Sequence, residues 1–131
     1  MARRTVSDGS SFEQLGSYAR AVRIGSHVAV SGTAALSEGI VLHPGDTYAQ
    51  TREALMRALA AAAELGATAT DVIRTRLLLV ADCDWHGAVR AHGEVFAGID
   101  PANTTYFVAG FIPDGVLVEV ELDAVVPAPP R

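Results

Sequence analysis

Apolar and polar positions alternate in short runs near the start of the chain, take up a helical spacing in its middle, and return to alternation near its end. In "YARAVRIGSHVAVSGTAAL" two alternating runs flank Gly25-Ser26. A glycine opening a two-residue connection predicts a β-hairpin with a type II′ turn. The segment "DTYAQTREALMRALAAAAELGA" changes period, placing Tyr48, Leu55, Leu59 and Ala62 on one helical face. Thr47 and Gln50 have capping-box spacing, Glu53 and Arg57 form an i,i+4 pair, and Gly66 is placed to end the helix. "DVIRTRLLLVAD" reads as a strand with Ile73, Thr75, Leu77 and Leu79 on one face and Val72, Arg74, Arg76, Leu78 and Val80 on the other. A shorter helix follows in "DWHGAVRAHGEVFAG", with Trp85, Val89 and Phe96 expected as its core anchors. "TTYFVAGF" and "VLVEVELDAVV" close the pattern as two strands, with Pro113-Asp114-Gly115 as a turn between them.

The resulting order is ββαβαββ, an α+β fold with a single sheet and two helices on one face. Val and Leu recur on both faces of "RLLLV" and "VLVEV", so the face without helices also needs a cover. The same surface on other copies of the chain supplies one, which predicts a closed homo-oligomer with sites at subunit boundaries. The 131 residues fit one domain, expected over 1–126, with a Pro-rich tail over 127–131 whose prolines lack the donor a strand ladder needs.

Charge and composition narrow the function. The formal net charge is -5 and the chain has no lysine, which argues against nucleic acid as a partner. No apolar run approaches the roughly 20 residues of a membrane span, and the two N-terminal arginines precede no apolar stretch of the secretory kind. A cytoplasmic protein without membrane association is expected. The lone cysteine excludes an internal disulfide, and Asp82 and Asp84 beside Cys83 oppose thiolate formation, so Cys83 is not expected to be a nucleophile. His92 has no second histidine at helical spacing, and no metal site is expected.

Six fragments in order, "GSYARAVRIGSHVAVSGT", "YAQTREAL", "LGATATDVIRTRLLLVAD", "HGEVF", "PANTT" and "VLVEVEL", span nearly the whole chain. In this order and spacing they resemble the Rid (YjgF-like) reactive-intermediate deaminases, also known historically as L-PSP endoribonucleases. The resemblance implies a chorismate-mutase-like fold, a homotrimer with clefts between neighbouring subunits, and cofactor-free hydrolysis of enamines and imines. It also implies site residues. Glu119 matches the carboxylate that orients the attacking water. Tyr18 falls at the cleft tyrosine, and Ser31 and Gly32 at a Ser-Gly segment. Thr33 stands where glutamine is common, and Arg90 where several members have asparagine. Asn103 and Thr105 lie in the segment whose arginine grips the substrate carboxylate in active deaminases.

That arginine is absent. Asn103 offers neutral amide donors in place of a charged planar fork, so a standard 2-imino acid is a poor match. Arg76 or Arg90 is a candidate replacement. Without the resemblance, Glu119 and Glu121 also fit a solvated sheet face, Ser31-Gly32 a strand end with a bulge, and His92 an interfacial structural residue. Two functions follow: an enzyme hydrolysing an imine, enamine or related reactive metabolite that lacks or differently places a carboxylate, or a non-catalytic trimer holding a small ligand or organising a partner. An endoribonuclease fits least, for want of a His pair, basic patch or stacking platform.

Overall fold

The computed structural model describes residues 2–128, so residues 129–131 of the expected tail lie outside the described residues. The elements in chain order are β1 (Arg3–Val6), α1 (Ser11–Gly16), β2 (Ala21–Ile24), β3 (His27–Thr33), β4 (Leu36–Ser37) and β5 (Ile40–Val41). They continue with α2 (Thr47–Glu64), a 3-10 turn (Ala69–Asp71), β6 (Val72–Val80), α3 (Trp85–Val95), β7 (Ala102–Val108) and β8 (Val118–Val125). Six strands form one mixed sheet in the order β1-β2-β3-β8-β6-β7, and β4 with β5 makes a separate ribbon. The ββαβαββ frame is present. Around it lie β1, α1 and the small ribbon, which the sequence pattern did not signal because each is too short to show a period.

The opening hairpin forms as expected, with Gly25 at φ 61° in its turn. In α2 the cap shifts by one residue. Asp46 is the N-cap, its carboxylate accepting from Ala49 N at 2.9 Å, so the Thr47–Gln50 capping box does not form. Gln50 turns inward and is fully buried, donating to His43 O and Gly115 O and accepting from Leu117 N. Gly66 ends the helix at φ 88°, with Ala67 N donating to Ala62 O in a Schellman pattern. Arg23 ties this end to the hairpin by donating to Leu65 O and Gly25 O.

Small residues bring the helices close to the sheet. Ala54, Leu55, Ala58 and Ala62 of α2 are fully buried with Val118, Val120, Leu122 and Ala124 of β8 in one core cluster. Removing those β8 side chains from water contributes about 1.5–3 kcal/mol for each Val or Leu. In α3 the anchors differ from expectation. Trp85 and Val89 are 45% and 44% exposed, whereas Gly87, Ala88, Ala91 and the expected Phe96 are buried. A Cβ at Gly87 would stand 3.3 Å from Tyr48 Cβ of α2 and 2.5 Å from Oδ2 of Asp84, the N-cap of α3 itself, so the bare glycine face lies close to α2 and the large side chains of α3 turn outward.

The expected alternation of β6 holds from Arg74 onward, but an irregularity between Val72 and Arg74 buries Val72 and exposes Ile73. The two closing strands are not neighbours. β7 joins β6 in parallel through α3, while β8, with four fully buried apolar residues, inserts between β3 and β6. The segment containing Pro113-Asp114-Gly115, with a cis Ile112–Pro113 bond, therefore carries the chain across the sheet. β7 is left at the edge, exposed from Ala102 to Phe107. Glu119, Glu121, Asp123, Arg74 and Arg76 line the sheet face away from α2 and α3. No described helix is long and apolar enough to cross a membrane.

Candidate active site

Strand alternation fixes where Glu119 goes. Val118 and Val120 are fully buried in the core, so Glu119 between them projects to the opposite face. There it meets β3 where the register shifts between Val30 and Thr33, the bulge anticipated at Ser31-Gly32. A Cβ on Gly32 would stand 2.5 Å from Glu119 Oε1, so the carboxylate occupies space that only glycine leaves free. Burial pushes the Glu119 carboxyl above the usual carboxylate range; Arg20 opposes the shift and Glu121 adds to it.

A cavity of about 740 Å³ opens beside this carboxyl, lined in part by Tyr18, Arg20, Gly32, Thr33 and Glu119. Its mouth is apolar, with Phe12, Tyr18 and Ile112 exposed. Tyr18 lies in the loop after α1, not in a strand. Ser31 adjoins the cavity but uses its hydroxyl to donate to Ala19 O at 2.7 Å, holding the Tyr18 loop against β3. Thr33 Oγ1 donates to Ser31 O at 2.7 Å.

The sequence reasoning missed Arg20 and its partner Glu13. Glu13 is 4% exposed, accepts from Ser7 Oγ at 2.7 Å, and stands 3.6 Å from Arg20 Nε. Arg20 Nη1 donates to Gly32 O at 2.8 Å. The available signal was Ser10-Ser11-Phe12-Glu13, a helix-start spacing in which Ser10 Oγ accepts from Glu13 N.

Asn103 and Thr105 lie elsewhere. They pair in register with Thr75 and Leu77, which face the helices, whereas Glu119 pairs with Leu78 on the other face. One chain therefore holds Asn103 and Glu119 on opposite faces of its sheet. Asn103 Nδ2 donates to the fully buried Thr75 hydroxyl at 3.0 Å, and Thr105 Oγ1 donates to Asn103 Oδ1 at 2.8 Å. Thr75 Oγ1 lies 2.7 Å from His92 Nε2. Having accepted from Asn103, the Thr75 hydroxyl is placed to donate to Nε2 of a neutral imidazole, and burial indeed lowers the His92 pKa. Part of the Asn103 amide is thus committed to an internal hydrogen-bond chain.

The two candidate replacement arginines have carboxylates of their own. Arg76 lies 3.4 Å from Glu121 and 3.9 Å from Asp123. Arg90 sits 4.0 Å over the Tyr48 ring and 3.7 Å from Glu94. Neither lines the cavity beside Glu119. The Cys83 thiol is pushed up by burial, with Asp84 and Asp82 adding to the effect. Among the described residues no group of three or more His, Cys, Asp or Glu could hold a metal ion.

Residues 9–126 match the family model described as Endoribonuclease L-PSP. An uncharacterised protein of Streptomyces coelicolor, SCO2049, is 42% identical over 121 residues, covering 92% of this chain and 90% of that protein. The structure of Rv2704 from Mycobacterium tuberculosis, a member of the YjgF/YER057c/UK114 family, is 41% identical with a TM-score of 0.85, covering 95% of this chain and all of that one. The YjgF gene product of E. coli shares the fold at 23% identity and a TM-score of 0.77, covering 93% and 98% of the two chains. With a model spanning most of the residues and relatives above 40% identity, the chain belongs to the YjgF/L-PSP family.

Proposed function

We propose that this protein hydrolyses an imine, an enamine or a related reactive metabolite without a cofactor, with Glu119 as its acid/base group. The observation that carries this reading is the Glu119 carboxyl itself, half-buried beside a cavity over a glycine that makes room for it, with its proton affinity raised. Hydrolysing C=N needs a water activated for attack on carbon and a proton delivered to nitrogen before the C–N bond breaks and ammonia leaves. A carboxyl with a raised pKa can take the first proton and return the second. Tyr18, Ser31, Gly32 and Thr33 form or brace the wall around the reacting bond.

The working unit in this reading is a homotrimer with three small-molecule clefts between subunits, in the cytoplasm, without nucleic acid or membrane partners. Its support is the β7 edge, exposed on both faces, with Tyr106 and Phe107 44% and 56% exposed. In this reading Asn103 and Thr105 reach a cleft only through a neighbouring subunit, because their own chain holds them on the sheet face opposite Glu119. The substrate is not a standard 2-imino acid held at position 103, because Asn103 lacks the charge and is bonded to Thr75 and Thr105. That same engagement favours the second reading, a trimer that binds a small ligand or organises a partner without turnover. The acidic, lysine-free chain gives ribonuclease activity no support.

The test is a coupled assay in which an amine oxidase generates imines without a 2-carboxylate from a panel of amines, an amino-acid oxidase generates simple 2-imino acids for contrast, and semicarbazide competes for both. Wild type should accelerate release of ammonia from at least one imine, Glu119→Gln should abolish that gain with assembly intact, and Asn103→Arg should raise activity on simple 2-imino acids. Turnover that survives Glu119→Gln overturns the assignment, and inactivity across the panel favours the binding reading.

A further inference from the structure

Two arginines line the cavity beside Glu119, and their counter-ions stand differently. Arg57 Nε donates to Glu53 at 2.9 Å across the exposed face of α2, which occupies its charge. The counter-ion of Arg20 lies behind the wall: Glu13 is buried and is not among the cavity-lining residues. It is also too far for a hydrogen bond, at 3.6 Å, so Arg20 Nε and Glu13 Oε2 are both buried without a hydrogen-bond partner among the described residues. Nη1 is fixed to Gly32 O and reaches Thr33 Oγ1 at 3.5 Å. Among the described residues nothing accepts a hydrogen bond from Nη2. The guanidinium is thus anchored through one nitrogen, backed by a carboxylate, and left with unused donors at an open cavity. The two N–H groups of Nη2, carrying the guanidinium charge, suit an anion better than any neutral group.

Asp8, Glu64 and Glu119 also line the cavity and would oppose an anion. Asp8 and Glu64 are exposed, where water and salt screen them. Arg20 has a side chain only 19% exposed and acts at contact distance. The apolar mouth formed by Phe12, Tyr18 and Ile112 suits a hydrocarbon body attached to that anion.

We propose that Arg20 is the anion grip of this cavity and that the ligand carries a carboxylate, bound on the Arg20 side and not at position 103. The proposal rests on the cavity beside Glu119 being the functional site, but not on turnover there. The test is equilibrium binding of three probes of one shape, benzoate, benzamide and benzylamine, by calorimetry and ligand-observed NMR at low salt, on the protein as assembled. Wild type should prefer benzoate. The double variant Glu13→Gln/Arg20→Gln, which removes the pair without stranding a buried charge, should weaken benzoate by about ten- to a hundredfold and leave benzamide unchanged. Arg20→Lys, which keeps charge but loses the fork, should fall between them and decides the matter if the double variant does not fold. Equal benzoate affinity in wild type and variants overturns the proposal, as does preference for benzylamine or absence of benzoate binding. Glu119-dependent hydrolysis of imines lacking a carboxylate, with no carboxylate binding, would overturn Arg20 while leaving the proposed reaction standing.

Discussion

Gly32→Ala separates a catalytic placement of Glu119 from a structural one. The new Cβ would lie 2.5 Å from Glu119 Oε1, whereas ordinary contact begins near 3.4 Å, so the carboxyl must retreat by about 0.9 Å. A displacement of about 1 Å in a reacting group can lower a rate by about a hundredfold, equivalent to about 2.7 kcal/mol of transition-state stabilisation. The fold has less to lose. The atom displaced is the end of a flexible side chain, Gly32 lies in a strand without a left-handed φ, and alanine there stiffens the unfolded chain by about 0.4–1 kcal/mol in favour of folding. The substitution should therefore cut kcat/KM on whichever imine the wild type turns over, while the melting temperature holds or rises. Steady-state kinetics, thermal melting and a carbon-13 NMR titration of the Glu119 carboxyl would measure all three consequences. Unchanged turnover with an unmoved Glu119 titration would refute the reasoning, and a matched fall in rate and melting temperature would assign Gly32 to the β3 bulge alone.

Light scattering should give a trimer mass at micromolar concentration, and a monodisperse monomer would remove the argument from the uncovered β7 edge. Glu119→Gln should melt above wild type at pH 7. Burial raises the folded-state pKa of Glu119 above its unfolded value, so the stability it contributes is full below the unfolded pKa and is lost as pH rises through the folded one. Glutamine does not titrate, so the difference should close toward about pH 4, and a wild type melting higher at pH 7 contradicts this account. The acid limb of kcat/KM in wild type should accordingly lie above the ordinary carboxylate range, and a limb at the ordinary value would detach activity from Glu119. Gln50→Leu should lower stability in urea unfolding by about 2–5 kcal/mol, because Leu117 N and Gly115 O lose their buried partner; a loss below about 0.5 kcal/mol would show that water replaces the amide.

Periodicity in the sequence determined the hairpin, the two long helices and the strand of "DVIRTRLLLVAD", because each repeats its pattern over enough residues to state a period. It also placed Glu119 opposite its apolar neighbours, since strand alternation admits only two faces. Side-chain spacing could not say which strands adjoin. That β8 enters between β3 and β6 follows from Val118, Val120, Leu122 and Ala124 being the most buried run in the sheet, a property of packing against α2. The rotation of α3 was decided by Gly87 against Tyr48, a contact between residues far apart in the chain, which is why Trp85 and Val89 are not the anchors their spacing predicts. Arg20 was hidden for the same reason. Its relation to Glu13, Gly32 and Glu119 exists only after the loop following α1 bonds to β3, and no local pattern records a meeting of residues from three elements.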